Sequence, residues 1–84
     1  MNINLNEKEQ VRGLLVKTQS KYNNLDVEVA GLVLVIRHYL DPFCEDATTL
    51  NSDAAMSAMT RLHNSIQELK NLKAKIAELE AYLD

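Results

Sequence analysis

Val11, Leu15, Thr18, Tyr22, Leu25, Val29, Leu32, Ile36 and Tyr39 alternate four and three residues apart. A 3.5-residue repeat held this long marks a helix whose seam packs along another helix. It predicts one helix over residues 6–41. Asn6 is placed to cap it, with Glu9 at N3 in the reciprocal capping arrangement. Glu7 and Glu9 suit the positive end of the helix dipole. Asp41-Pro42 ends it, because a residue before proline avoids helical angles. Asn23-Asn24-Leu25-Asp26 is the weak point, since Asn and Asp side chains compete for backbone hydrogen bonds. A kink or break at residues 23–26 therefore competes with a continuous helix. The seam nevertheless stays in phase from Tyr22 through Leu25 to Val29. The valine-rich stretch from Val27 to Ile36 also reads as a strand, but no second β-rich run offers it a partner.

A second seam runs through Ala55, Met59, Leu62, Ile66, Leu69, Leu72, Ile76, Leu79 and Leu83. Two consecutive steps of three, Ile66 to Leu69 to Leu72, break its alternation. Such a stammer overwinds a coiled coil locally. The expected helix covers residues 51–83 and starts at Asn51 or Ser52, with Asp53 in its first turn. Leu50 is placed to staple onto Ala55 if Asn51 is the cap. Residues 42–50 connect the two helices. Two long helices joined by a short loop lie antiparallel, so residue i falls level with residue 93 − i, roughly. That register sets Arg12 near Glu80, and Lys75 with Glu78 forms a local pair of opposite charge. The expected fold class is all-α, a single domain over residues 1–84 built as an antiparallel helical hairpin.

Apolar residues off the seam change the picture from a hairpin to an assembly. Leu14, Val16, Val27, Val33, Leu34, Val35, Leu72 and Leu79 form a second set, with Val27 and Leu34 opposite the first seam. Ala30 and Gly31 add a smooth patch where another backbone can approach. A helix apolar all round is buried all round, and a lone hairpin cannot cover it. Exposing such residues forfeits about 1.5–3 kcal/mol each, against a whole-domain stability of about 5–15 kcal/mol. The expectation is a dimer or higher homo-oligomer forming a multi-helix bundle, with Val27, Gly31, Leu34 and Val35 at the interface.

Length and composition agree. A chain of 84 residues is short enough to need a disulfide, a metal or oligomerisation. Its single cysteine, Cys44, excludes an internal disulfide, and no Cys/His spacing suggests zinc. The net charge of −3 and pI near 5.3 weigh against a nucleic-acid binder. Val29 to Ile36, the longest apolar stretch, is far shorter than the ~20 residues that span a membrane. Met1 to Gln10 lacks the apolar core of a signal peptide. With a free thiol, this points to a reducing, cytoplasmic setting.

Candidate chemistry is sparse. His38, Asp41, Cys44 and Glu45 cluster near the turn without a metal-ligand pattern. Cys44 and His38 lack the Gly-rich loop or amide side chains of an oxyanion hole. No catalytic residue, metal site or cofactor is expected, and His63 reads as a surface residue. Asp41, Glu45, Asp46 and Asp53 make the turn acidic, with no Lys or Arg between Arg37 and Arg61. Such a field steers basic partners. Met56 and Met59 among alanines form an adaptable surface beside it. Lys17, Lys21, Lys70, Lys73 and Lys75 gather toward one basic belt, with Tyr22 beside it. The leading expectation is a non-enzymatic homo-oligomeric module that regulates, chaperones or inhibits a partner protein through Asp41, Glu45, Asp46, Met56 and Met59. The alternative is an oligomer that sequesters an anionic small molecule or nucleotide with Lys17, Lys21, Tyr22, Lys70 and Lys73.

Overall fold

The computed structural model describes residues 5–84. Helix α1 spans Leu5–Tyr39 and helix α2 spans Ser52–Leu83. They pack against each other as an antiparallel hairpin, and a single 3-10 turn at Ala47–Thr49 lies in the connection. The molecule is a rod of 69 × 16 × 14 Å with a radius of gyration of 19.3 Å. A globular chain of this length would have a radius of about 12 Å.

α1 is unbroken through Asn23–Asp26. Continuity of the seam decides this: Tyr22, Leu25 and Val29 all turn inward, and their packing outweighs the local preference of Asn and Asp. All nine seam residues from Val11 to Tyr39 are buried or half-buried. Thr18 is the polar member and is buried. Its hydroxyl donates to the Leu14 carbonyl at 2.7 Å, so it enters the core with its donor satisfied.

Two boundaries differ from the sequence-based expectation. Asn6 lies inside α1, which begins at Leu5, so it is not the cap. The residue ahead of Leu5 lies outside the described residues. At the other end α1 stops at Tyr39, two residues short of Asp41. Leu40 N–H still donates to the Ile36 carbonyl at 3.0 Å. Asp41 then turns the chain, its side chain accepting from the Phe43 N–H at 3.0 Å. The start of α2 is as expected: Asn51 is the cap and accepts the Ala54 N–H at 3.1 Å.

The α2 seam needs correction. Ala55, Ala58 and Leu79 are its buried members, Ser65 and Ile66 are both half-buried, and Met59 is exposed. The seam therefore runs Ala55, Ala58, Leu62, then Ser65 and Ile66 together, Leu69, Leu72, Ile76, Leu79 and Leu83, with Ala58 in place of Met59. Small residues at the turn end have a reason. The antiparallel register sets Ala55 and Ala58 level with Ile36, which is itself buried, and two small side chains accept one large one. Leu72 and Leu79, counted above among the outward residues, belong to this inner seam.

The core that results is thin. No large side chain of the described residues is fully buried. The accessible surface is 6714 Å², against about 5,000 Å² for a globular monomer of this mass.

Candidate functional site

The seam phases define two flanks. On one, Arg12, Gln19, Asp26, Val33 and Leu40 of α1 run antiparallel to Glu80, Lys73, Ile66, Met59 and Ser52 of α2. On the other, Leu14, Lys21, Glu28 and Val35 run along Tyr82, Lys75, Glu68 and Arg61. Surface hollows agree: Leu40 shares one with Ser52, Met56 and Met59, and Lys21 shares another with Glu28 and Glu68.

The first flank carries an apolar ledge at the turn end. A hollow of about 420 Å³ is lined by Leu40, Ser52, Ala55, Met56, Met59 and Thr60. Leu40 also borders a neighbouring hollow with Arg37, Pro42 and Phe43. Phe43 is 88% exposed and Met56 70% exposed. Met56 and Met59 are thus brought together as anticipated, while Leu40 and Phe43 join them unforeseen. The antiparallel register, which sets Leu40 opposite Ser52, contained the signal for Leu40. Phe43, an aromatic between Pro42 and Cys44 in a polar turn, was legible only as an oddity of composition.

Acidic groups lie along the same turn and the first turn of α2, and Asp41 lines the hollow that Leu40 shares with Phe43. Asp41, Glu45, Asp46 and Asp53 are all exposed. Asp46 caps the 3-10 turn: its Oδ1 accepts the Thr48 hydroxyl at 2.7 Å and the Thr48 N–H at 3.0 Å. These bonds favour the carboxylate and hold its pKa below the ordinary 3.8. Asp41 is similarly occupied with its own turn. Asp41 and Asp46 are therefore held by local structure with their charge exposed.

The Cys44 thiol is half-buried. Its Sγ donates to the Asp46 carbonyl at 3.0 Å and lies 3.2 Å from Thr49 Oγ1. Thr49 Oγ1 in turn donates to the same carbonyl at 2.7 Å. This network stitches the turn together. His38 packs instead against the Tyr39 ring, at 6.2 Å between centroids. Among the described residues, no group of three or more His, Cys, Asp or Glu is placed to hold a metal ion.

A second surface covers the outside of α1. Val27 is 72% and Leu34 66% exposed, opposite the seam, with Val33 and Val35 exposed to either side. Ala30 and Gly31 are exposed between them. A Cβ on Gly31 would meet nothing within 4 Å. Mid-helix glycine costs about 1 kcal/mol relative to alanine, and no contact inside the hairpin requires it.

The basic residues do not form one belt. Lys17 and Lys21 share a hollow with Leu14 and Thr18, and the α2 phase sets Lys75 on the same flank. Lys70 and Lys73 fall on the opposite flank, and Tyr22 is half-buried in the seam. Arg12 and Glu80 are level across the hairpin, and Lys75 precedes Glu78 by one turn, but neither pair closes into an ion pair.

No helix of the described residues is long and apolar enough to cross a membrane. No protein-family model, curated protein or solved structure matches the chain.

Proposed function

We propose that this chain is a non-enzymatic, homo-oligomeric helical module that binds another protein and regulates, chaperones or inhibits it. One observation carries the reading. Among the described residues, eleven large apolar side chains are exposed while no large side chain is fully buried, the reverse of a self-sufficient domain. The outer face of α1 supplies the self-contact through Val27, Gly31, Leu34 and Val35. The ledge of Leu40, Phe43, Met56 and Met59, bordered by Asp41 and continued by Glu45 and Asp46 along the turn, supplies the partner surface. Methionine adapts to varied apolar shapes, an exposed aromatic is a typical interface anchor, and the acids favour a partner segment bearing Lys or Arg.

The two surfaces separate experimentally. The double substitution Met56→Glu, Met59→Glu should leave the native mass unchanged and abolish recovery of a partner from the source cell by the tagged chain. Equal recovery by wild type and variant would remove the ledge from the account. The anion-binding alternative draws on Lys17 and Lys21 in one hollow, but Lys21 borders Glu28 and Glu68 as well, and these acids oppose an anion. A thermal shift with nucleotides that Lys21→Glu removes would favour it over the protein-binding reading.

A further inference from the structure

The two flanks of the hairpin carry different residues, and the difference names a class of partner. We propose that the ledge seats an amphipathic helix of another protein, bearing Lys or Arg where that helix meets the turn. This rests on the protein-binding reading above and deepens it.

A two-stranded coil confines its apolar residues to the seam and sets charged residues at the positions flanking it. A helix that packs against more than one neighbour widens its apolar stripe onto a flanking position. At the open end of the hairpin the first flank follows the two-stranded pattern, with Arg12 and Gln19 along Glu80 and Lys73. The second flank follows it where Lys21 and Glu28 border Glu68. At the turn end the first flank departs from it. Val33, Leu40 and Met59 hold the flanking positions there, with Met56 one turn before Met59. All four are exposed. The hollow beside Leu40, Met56 and Met59 is also lined by Ala55, which is buried, so an incoming side chain reaches down to the hairpin's own core. A third helix is the element that a widened stripe of this kind accepts. Val33 to Leu40 spans about 10 Å, and with the continuation to Phe43 about three to four turns of helix cover the ledge.

Charge specifies which helix. Between Leu40 and Thr60 the chain carries Asp41, Glu45, Asp46 and Asp53 and no Lys or Arg. Asp41 lines the hollow that Leu40 shares with Phe43. Asp53 follows Ser52, which lines the hollow of Met56 and Met59. Arg37 borders the first of these hollows as well, and the four acids outweigh it. A helix with Lys or Arg toward the turn is drawn to this end, and one with Asp or Glu there is repelled. Other occupants match less well. Among the described residues the chain has no third α-helix of its own to lay there. A second copy offers Val27 and Leu34 with Asp26 and Glu28 close by in sequence, acids that the turn repels.

Two synthetic peptides read the assignment. Both are amphipathic helices of about four turns with leucine at i, i+3, i+4 and i+7. One carries lysines at one end, and the other carries glutamates in their place. By fluorescence anisotropy the labelled lysine peptide should bind the wild-type chain at least about tenfold more tightly than the glutamate peptide. Met59→Glu, with helicity unchanged by circular dichroism, should abolish that binding. Glu45→Gln with Asp53→Asn should narrow the gap between the peptides. Glu28→Gln with Glu68→Gln, the same loss of charge on the other flank, should leave the gap as it is. Equal affinity for the two peptides, no saturable binding of either, or equal effects of the two charge pairs overturns the proposal. A lower native mass for Met59→Glu would mean that a second copy fills the ledge, and overturns it too. If the peptides fail while recovery of a partner still requires Met56 and Met59, only the partner class falls. If recovery is also indifferent to the methionines, the ledge falls with it.

Discussion

Individual side chains at the turn serve to hold its local structure. Asp46 is an example. Its carboxylate holds the Thr48 amide and hydroxyl, and its pKa is lowered for that reason. A depressed folded pKa contributes order fully above the ordinary value of 3.8 and loses it as pH falls through the lower folded value. Protection of the Thr48 amide from hydrogen exchange should therefore persist at pH 5 and fade only below the ordinary value. Loss of protection already at pH 5 would contradict the cap. The two glycines make a second case. Gly13 is exposed in α1, and a Cβ there meets nothing within 4 Å. Gly13→Ala should stabilise the protein by about 0.5–1 kcal/mol, read as a higher melting temperature. Destabilisation would mean that something outside the hairpin occupies that surface.

At the scale of the elements, α1 and α2 differ in how openly they advertise their inner faces. Every seam position of α1 carries a large residue or Thr18, so the repeat alone located all nine. In α2 the seam passes through Ala58, while Met59 stands one position beyond it and is exposed; further on, Ser65 and Ile66 are both half-buried. Hydrophobicity alone chose the larger neighbour, and only the side chains across the interface, Ile36 above all, reveal why the smaller one faces inward. The boundary at Tyr39 was obscured for a related reason: Asp41 closes its own turn on the Phe43 amide instead of extending the helix to Pro42. The corrected phase has a direct test. Ala58→Gln should cost about 2 kcal/mol or more, since it forces bulk and an amide into a packed layer. Met59→Gln should cost less than about 0.5 kcal/mol in the isolated protein. Equal costs in chemical denaturation would restore the earlier phase. The exposed apolar surfaces were legible in part. Val27, Leu34 and Met56 stand outside any seam by periodicity, whereas Met59 was read into the seam and Leu40 and Phe43 depend on where the turn folds.

The whole molecule is a rod whose intramolecular seam is satisfied and whose outer apolar surface is not. Among the described residues the buried apolar ones are Ile36, Ala55, Ala58 and Leu79, and two of these are alanines. A core this thin gives a hairpin little margin over the entropy of ordering it. If the proposed self-association adds what the hairpin lacks, stability should depend on protein concentration. Leu34→Asp places a charge in the outer face and should lower both native mass and melting temperature, whereas the same change on a free surface would shift stability by no more than about 0.5 kcal/mol. The most direct measurement is the native mass of the wild-type chain by sedimentation equilibrium across a wide concentration range. A mass of at least twice the 9.5 kDa subunit, dissociating on dilution together with loss of helicity, is the predicted result. A stable, fully helical species at the subunit mass up to high concentration would contradict it.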